Sequence, residues 1–314
     1  MTIPDIEAFK TAWPKNPTHQ NARLVIAPVY DRFSYAKRGI KMSVVNFAER
    51  KRDSRIMPLH EPDTIKRPAL FWTMLEPFRM AAEASSLMLT MPILGMAPKG
   101  DGHPVMVLPG FATTDSMTLM LRQFLTFMGY KVFPWDLGWN LDQHSAGENG
   151  EHVAQRIEEI ADSTGQNVSL VGWSLGGVIA REAARRKHHG LRQVIALGSP
   201  FAGNPRATSV TMLYELLTGN KASSEKTRRR YEHGHHPLQV PSSAIYSKTD
   251  GITAWQNCVS ETDDITENIE VHSSHFGFVT NPGVFYAVAD RLAMPEGTWR
   301  AFDASGTPFS PFFP

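Results

Sequence analysis

The chain predicts an α/β fold in which a mostly parallel central sheet is flanked by helices. Three observations predict it. From Pro104 onward, short apolar runs alternate with helix-length amphipathic segments. The runs are apolar at nearly every position, as strands buried on both faces are. One of them ends in a Gly-x-Ser-x-Gly turn that leads into a helical stretch.

The elements follow in order. Val105–Leu108 is the first strand, and Met117, Met120, Leu121, Phe124, Leu125 and Met128 then recur at helical spacing. Asp115 or Ser116 is expected to cap that helix and Gly129 to close it. Tyr130–Trp135 is the next strand. A Gly- and Asn-rich loop leads to a helix carrying Val153, Ile157, Ile160 and Ala161, ended by Gly165. Val168–Trp173 is a strand, Leu175 to about Lys187 a helix, and Leu191–Pro200 contains a further strand. Residues 206–240 break the rhythm with the polar, basic run Thr227–Pro237. Strands return at Ser243–Lys248 and Glu267–Ser273, and a final helix runs over Pro282–Leu292 with Val284, Phe285, Val288 and Leu292 on its apolar face.

Three domain-level divisions follow. Residues 1–100 form an N-terminal extension, partly irregular, with a β-like run at Leu24–Val29, a charged stretch at Ala48–Arg55 and an apolar helix at about 71–95. Residues 101–295 form the main domain, with 206–240 as an insertion. Residues 296–314 are a Pro-rich tail expected to lie against the surface. The segment 71–95 holds Glu76, Arg79 and Glu83 in its first half, leaving an uncharged stretch short of the roughly 20 residues that span a bilayer. It reads as a core-packed helix, with peripheral membrane or lipid contact as the minority reading and no transmembrane segment.

Composition bounds the function. The chain has 314 residues, 42% of them hydrophobic and 20% charged, as in ordinary globular proteins. A formal net charge of +1 supplies no global field for nucleic acid or an anionic surface. The single cysteine, Cys258, permits no intramolecular disulfide. No signal-peptide pattern opens the sequence, so the default compartment is the cytoplasm.

The chemistry centres on Gly172-Trp173-Ser174-Leu175-Gly176. A serine on a sharp strand-to-helix turn lifts its hydroxyl above the sheet, and the flanking glycines let strand and helix pass closely. The helix N-terminus behind it favours a developing negative charge. The competing reading is a serine in a tight βα turn of a nucleotide-binding domain. That reading needs G-x-G-x-x-G after the strand, and GWSLGG lacks it.

At these residues the chain resembles the α/β-hydrolase superfamily, in particular its lipase- and esterase-like bacterial members. The matching pieces are Pro104–Phe111, Gly172–Gly177, Tyr246–Ile252 and Ser274–Pro282, in the family's order. They cover roughly residues 100 to 295. The resemblance implies the α/β-hydrolase fold, with an N-terminal extension and 206–240 as a candidate cap or lid. It also implies a Ser–Asp–His order for the catalytic groups.

Ser174 is then the nucleophile. His275 is the expected base, on the loop between the last strand and the final helix, in preference to His272, which continues the strand pattern. Asp250 ends the preceding strand and is the expected acid, with Gly251 supplying the turn. Asp263 and Asp264 compete from a polar loop. The resemblance places the oxyanion hole at the backbone N–H groups of Leu175 and Phe111, with Ala112 as the neighbour that could replace Phe111. Pro109-Gly110 stands where many relatives have His-Gly. His188 and His189 read as cations at a helix end. His233, His235 and His236 form a candidate metal trio with no carboxylate or cysteine pattern beside it, so no metal is expected. Neither is a cofactor.

Trp173, Phe201, Trp255 and Phe276 neighbour the motif residues and are candidate walls of an apolar acyl pocket. The expected activity is hydrolysis of carboxylic esters, on a small-molecule or lipid substrate with an apolar acyl group. An acyltransferase on the same groups and a non-catalytic binding protein on the same scaffold are the alternatives.

Overall fold

The computed structural model describes residues 61–186, 189–221 and 224–314. The run at 24–29, the charged stretch at 48–55 and His188 lie outside these described residues. Six strands form one sheet in the order β2-β1-β3-β4-β5-β6: β1 (Pro104–Leu108), β2 (Lys131–Pro134), β3 (Val168–Trp173), β4 (Leu191–Leu197), β5 (Ser242–Tyr246) and β6 (Thr266–Glu270). Every neighbouring pair is parallel.

The helices are α1 (Leu70–Leu94), α2 (Leu119–Phe127), the short α3 (Gln143–Ala146), α4 (Glu151–Thr164), α5 (Leu175–Arg186), α6 (Thr211–Thr218), α7 (Glu225–Gly234) and α8 (Pro282–Leu292). α8 begins where local chemistry sets it. Asn281 accepts hydrogen bonds from Gly283 and Val284, and Pro282 needs no intrahelical acceptor. Gly165 ends α4 in the left-handed conformation, φ +66°. The turn before α2 departs from expectation. Thr114, not Asp115 or Ser116, accepts from Ser116 N. Asp115 is engaged elsewhere, accepting from the N–H groups of Trp135 (3.1 Å) and Asp136 (3.2 Å).

Strand periodicity sorts the core into two layers. Val105, Val107, Val171, Ile195 and Leu197 face one side and pack with Leu121, Phe124, Phe285 and Val288 of α2 and α8, and with Leu87 and Leu94 of α1. Met106, Leu108, Leu170, Val194 and Ala196 face the other side and meet Val153, Ile157 and Ile160 of α4 and Val178 and Ile179 of α5. The Pro-rich tail goes deeper than the surface: Phe309 is buried and stacks on Tyr286 at 4.7 Å.

Two other segments differ from a simple reading. α1 is not buried all round. It buries Glu76, Leu87 and Leu94, while Leu70, Phe71, Met74, Phe78, Met88, Leu89 and Ile93 are exposed. Among the described residues no helix is long and apolar enough to cross a membrane. Residues 206–240 fold into α6 and α7. Arg230 of α7 bridges the buried Asp142 (2.9 Å) and Glu182 (2.5 Å), and Tyr214 of α6 donates to the same Asp142 (2.5 Å).

The chain reverses direction across the sheet between β1 and β3. It steps outward from β1 to β2, then returns past β1 to β3. The crevice above the carboxyl ends at such a switch point is where open α/β sheets bind ligands. The loops after β1 and β3 meet there.

Candidate active site

Ser174 sits directly after β3 with φ +53°, a conformation that costs a non-glycine residue about 1–3 kcal/mol. The strain is held from both sides: Ser174 N donates to Leu197 O at 2.8 Å, and α5 starts at the next residue. Glycines make the bend possible. A Cβ on Gly172 would collide with the backbone of Gly177. One on Gly176 would lie 2.6 Å from Pro109 O, and one on Gly110 2.8 Å from the Trp173 ring. The loops after β1 and β3 are therefore packed backbone against backbone.

His275 and Asp250 approach from the loops after β6 and β5. His275 Nε2 lies 3.0 Å from Ser174 Oγ, and its Nδ1 lies 2.6 Å from Asp250 Oδ2. Asp250 Oδ1 accepts from Ile252 N (2.8 Å) and Thr253 N (2.7 Å), so each carboxylate oxygen has its own partners. His275 and Asp250 are buried, 3% and 4% exposed, while Ser174 is half-buried. The carboxylate facing Nδ1 assigns the proton to that nitrogen and leaves Nε2 as acceptor for the serine proton. Burial works against the charged imidazole. The Asp250 charge, its hydrogen bond and the charge of Glu76 outweigh burial and hold the His275 pKa above the ordinary imidazole value.

The competitors lie elsewhere. His272 is exposed, and its N–H donates to Phe312 O at 2.8 Å. Asp263 and Asp264 are exposed in the loop before β6. His189 lies in a turn rather than in a helix.

The oxyanion alternatives separate on hydrogen bonding. Ala112 N donates to Asn140 O at 2.8 Å, so this N–H is occupied. Asn140 is fully buried, and its side chain also donates to Pro109 O at 2.7 Å, pinning the loop from beneath. Among the described residues, the N–H groups of Phe111 and Leu175 have no acceptor within the chain. Both flank the switch-point crevice, Leu175 as the first residue of α5.

Only some of the aromatic residues gather here. Trp173 is buried beneath the site, and its Nε1 donates to His275 O at 3.0 Å. Phe276 packs 5.9 Å from the Trp173 ring. Phe201 is instead buried under the Arg181 guanidinium, 3.9 Å above its ring. Trp255 stacks on Tyr246 at 5.6 Å. The ring of Tyr214, on α6, lies 5.3 Å from Phe111 and brings the 206–240 segment to the loop after β1.

Folding also supplies a carboxylate that the sequence did not place beside the histidine trio. Glu261 lies 3.7 Å from His235 Nε2 and 3.2 Å from His236 Nδ1.

Three residues near the site escaped the sequence reading: Glu76, Arg79 and Glu83. They reach the loops of Asp250 and His275 from α1. Their only sequence signal was their i, i+3, i+7 spacing, one face of a helix, inside an otherwise apolar segment.

The likeness to known proteins lies in the fold. No protein-family model and no curated protein sequence matches the chain. Among solved structures, lipase B of Aspergillus fumigatus is similar at 21% identity and a TM-score of 0.53, over 68% of this chain and 56% of that one. This chain thus spans little more than half of that lipase's length. A lipase-esterase related protein of Clostridium acetobutylicum aligns at 17% identity, TM-score 0.45, over 63% of this chain and 94% of its own. A monoacylglycerol lipase of Paleococcus ferrophilus aligns at 15% identity, TM-score 0.44, over 63% and 96%. The protein has the α/β-hydrolase fold. Its structural neighbours are lipases and esterases.

Proposed function

We propose that the protein is a carboxylic ester hydrolase in which Ser174 is the nucleophile, His275 the general base and acid, and Asp250 the group that orients and charges the imidazole. One observation carries the reading: the buried His275 bridges Ser174 Oγ (3.0 Å), on a strained strand-to-helix turn, and Asp250 Oδ2 (2.6 Å).

The steps follow from the positions. Ser174 Oγ attacks the ester carbonyl carbon as its proton passes to His275 Nε2. The carbonyl oxygen gains the negative charge and takes hydrogen bonds from the N–H groups of Phe111 and Leu175. The carbon–oxygen bond to the alcohol breaks, and His275 returns the proton to that leaving group. Water then attacks the acyl-enzyme, gives its proton to His275, and the acid departs as Ser174 is reprotonated.

The substrate is an ester with an apolar acyl group of medium or long chain. Phe111 and Phe276 border the site, and α6, which meets Phe111 through Tyr214, carries the exposed Met212, Leu213 and Leu216. The 206–240 segment acts as a cap over the entrance. The exposed apolar residues of α1 give the enzyme a surface for lipid contact.

A fluorophosphonate probe tests the nucleophile. Wild-type protein is expected to be labelled and Ser174→Ala to be inert; an unlabelled wild type, or a labelled Ser174→Ala, overturns the assignment. A series of p-nitrophenyl esters of increasing acyl length tests the pocket, with turnover expected to favour medium or long chains over acetate. Adding alcohol acceptors separates hydrolysis from acyl transfer: an ester product in place of the free acid identifies a transferase.

A further inference from the structure

The loops that carry Asp250 and His275 follow neighbouring strands, yet their backbones are joined by a residue from neither. Glu76, in α1, is 2% exposed. Its Oε1 accepts from Gly251 N (2.8 Å) and from His275 N (3.0 Å). Its Oε2 accepts from Phe276 N (3.2 Å). One carboxylate oxygen thus holds both the residue after the acid and the base's own main chain.

Two neighbours on the same face of α1 extend the contact. Arg79 donates to Thr249 O (2.5 Å) and Thr249 Oγ1 (2.8 Å) in the acid loop. Glu83 accepts from Ser274 N (2.7 Å) and Ser274 Oγ (2.6 Å) in the base loop. Each of the three charged side chains is directed at a residue adjacent to Asp250 or His275, or at His275 itself.

The glycines of these loops fit the same reading. Neither Gly251 nor Gly277 has a positive φ, so neither is required by a left-handed turn. A Cβ on Gly251 would lie 2.5 Å from the Trp72 carbonyl of α1, and one on Gly277 would collide with the Glu83 carboxylate. Gly251, expected to supply a turn, instead makes room for the helix.

A buried carboxylate is a costly way to cover two loops. Removing it from water costs several kcal/mol, recovered only where hydrogen bonds fill its lone pairs. An apolar side chain would avoid that cost, but it would leave the N–H groups of Gly251, His275 and Phe276 without their acceptor and would not fix the separation between the two backbones.

We propose that Glu76 is a positioning residue for the reaction: by holding Gly251 N and His275 N on one oxygen, it sets the spacing of Asp250 and His275 and keeps the imidazole in reach of Ser174. This inference rests on the catalytic reading of Ser174, His275 and Asp250. Its charge has a second effect. The imidazole is faced by Asp250 from the β5 loop and Ser174 from the β3 turn, and α1 brings Glu76, Arg79 and Glu83 towards its loop. Glu76 adds to Asp250 in favouring the protonated ring.

The test uses the full chain as wild type, Glu76→Gln and Glu76→Ala, with a p-nitrophenyl ester substrate. Thermal unfolding and circular dichroism report folding. Glu76→Gln keeps the shape and one acceptor oxygen but loses the charge and places an amide NH2 against Phe276 N–H. It is expected to lower kcat about tenfold with KM within about twofold. The acid limb of its kcat/KM profile is expected to move to lower pH, because the imidazole loses a negative neighbour. Glu76→Ala is expected to lose on the order of 100-fold or more in kcat.

A folded Glu76→Gln with wild-type kcat and an unmoved acid limb overturns the proposal. So does a Glu76→Gln chain that fails to fold, since Glu76 would then serve stability alone. If Glu76→Ala does not fold, Glu76→Gln decides by itself. Fluorophosphonate labelling of the wild type separates the two levels. An unlabelled wild type sinks the catalytic reading and takes this inference with it. A labelled wild type whose Glu76 variants match it sinks only the role of Glu76.

Discussion

Replacing Asp250 by asparagine changes one oxygen to an amide nitrogen and almost no volume. The structure dictates which way the amide turns. Asp250 Oδ1 accepts from Ile252 N and Thr253 N, and an NH2 group cannot accept there. The amide oxygen must therefore keep that position and the NH2 must face His275 Nδ1. The imidazole then carries its proton on Nε2, pointing at Ser174 Oγ, and cannot take the serine proton. The imidazolium that forms during attack also loses its counter-charge. A unit charge about 4 Å away at an effective dielectric near 20 contributes roughly 4 kcal/mol. With the wrong tautomer added, the expected loss in kcat is on the order of 10⁴-fold, or about 5 kcal/mol. The assay is turnover of a p-nitrophenyl ester between pH 5 and 10, with thermal unfolding to show that the variant is folded. A folded Asp250→Asn within tenfold of wild type would refute the reasoning.

Three further perturbations have defined outcomes. His275→Ala is expected to reduce turnover by several orders of magnitude while the exposed His272→Ala keeps most of it; equal losses would reverse the choice of base. Because the His275 pKa is held above the ordinary imidazole value, kcat/KM is expected to fall as pH drops through a midpoint above about 6.5. A midpoint below 6 would contradict the charge balance drawn from Asp250 and Glu76. Arg230→Met removes the cation that faces the buried Asp142 and Glu182, leaving Tyr214 as a donor to Asp142, and is expected to cost about 3–5 kcal/mol. Thermolysin should then cleave 206–240 faster than it does in the wild type; an unchanged rate there would show that the bridge does not secure α6 and α7.

The parts of this protein that read directly from the sequence are those set by near neighbours in the chain. α8 spans Pro282–Leu292 as its apolar spacing and Pro282 predict, with Asn281 as cap. β3 ends at Trp173 and α5 begins at Leu175 as the Gly-x-Ser-x-Gly pattern requires. The steric demand there, two glycines clearing the path of strand and helix, is visible within six residues. Spacing also separated His275, buried beyond the strand, from His272, exposed just after it.

Other features escaped because their causes are distant in sequence. Asp115 looked like a helix cap until Trp135 and Asp136 claimed its oxygens. Phe111 was the expected donor with Ala112 as its possible replacement, and only the fold shows that Asn140 O occupies the Ala112 N–H. Phe201 looked like a pocket wall until Arg181 covered it.

Local patterning determined the six strands, the helices α1, α2, α4, α5 and α8 and the tight bend that raises the Ser174 hydroxyl, because steric exclusion and side-chain periodicity act over a few residues. Tertiary structure alone decided how Asp250 and His275 are held at working distance. The carboxylate that joins their loops comes from a helix some 175 to 200 residues earlier in the chain. Hydrogen bonds of that kind are chosen by what burial leaves unpaired, and no periodicity records which distant N–H groups those will be.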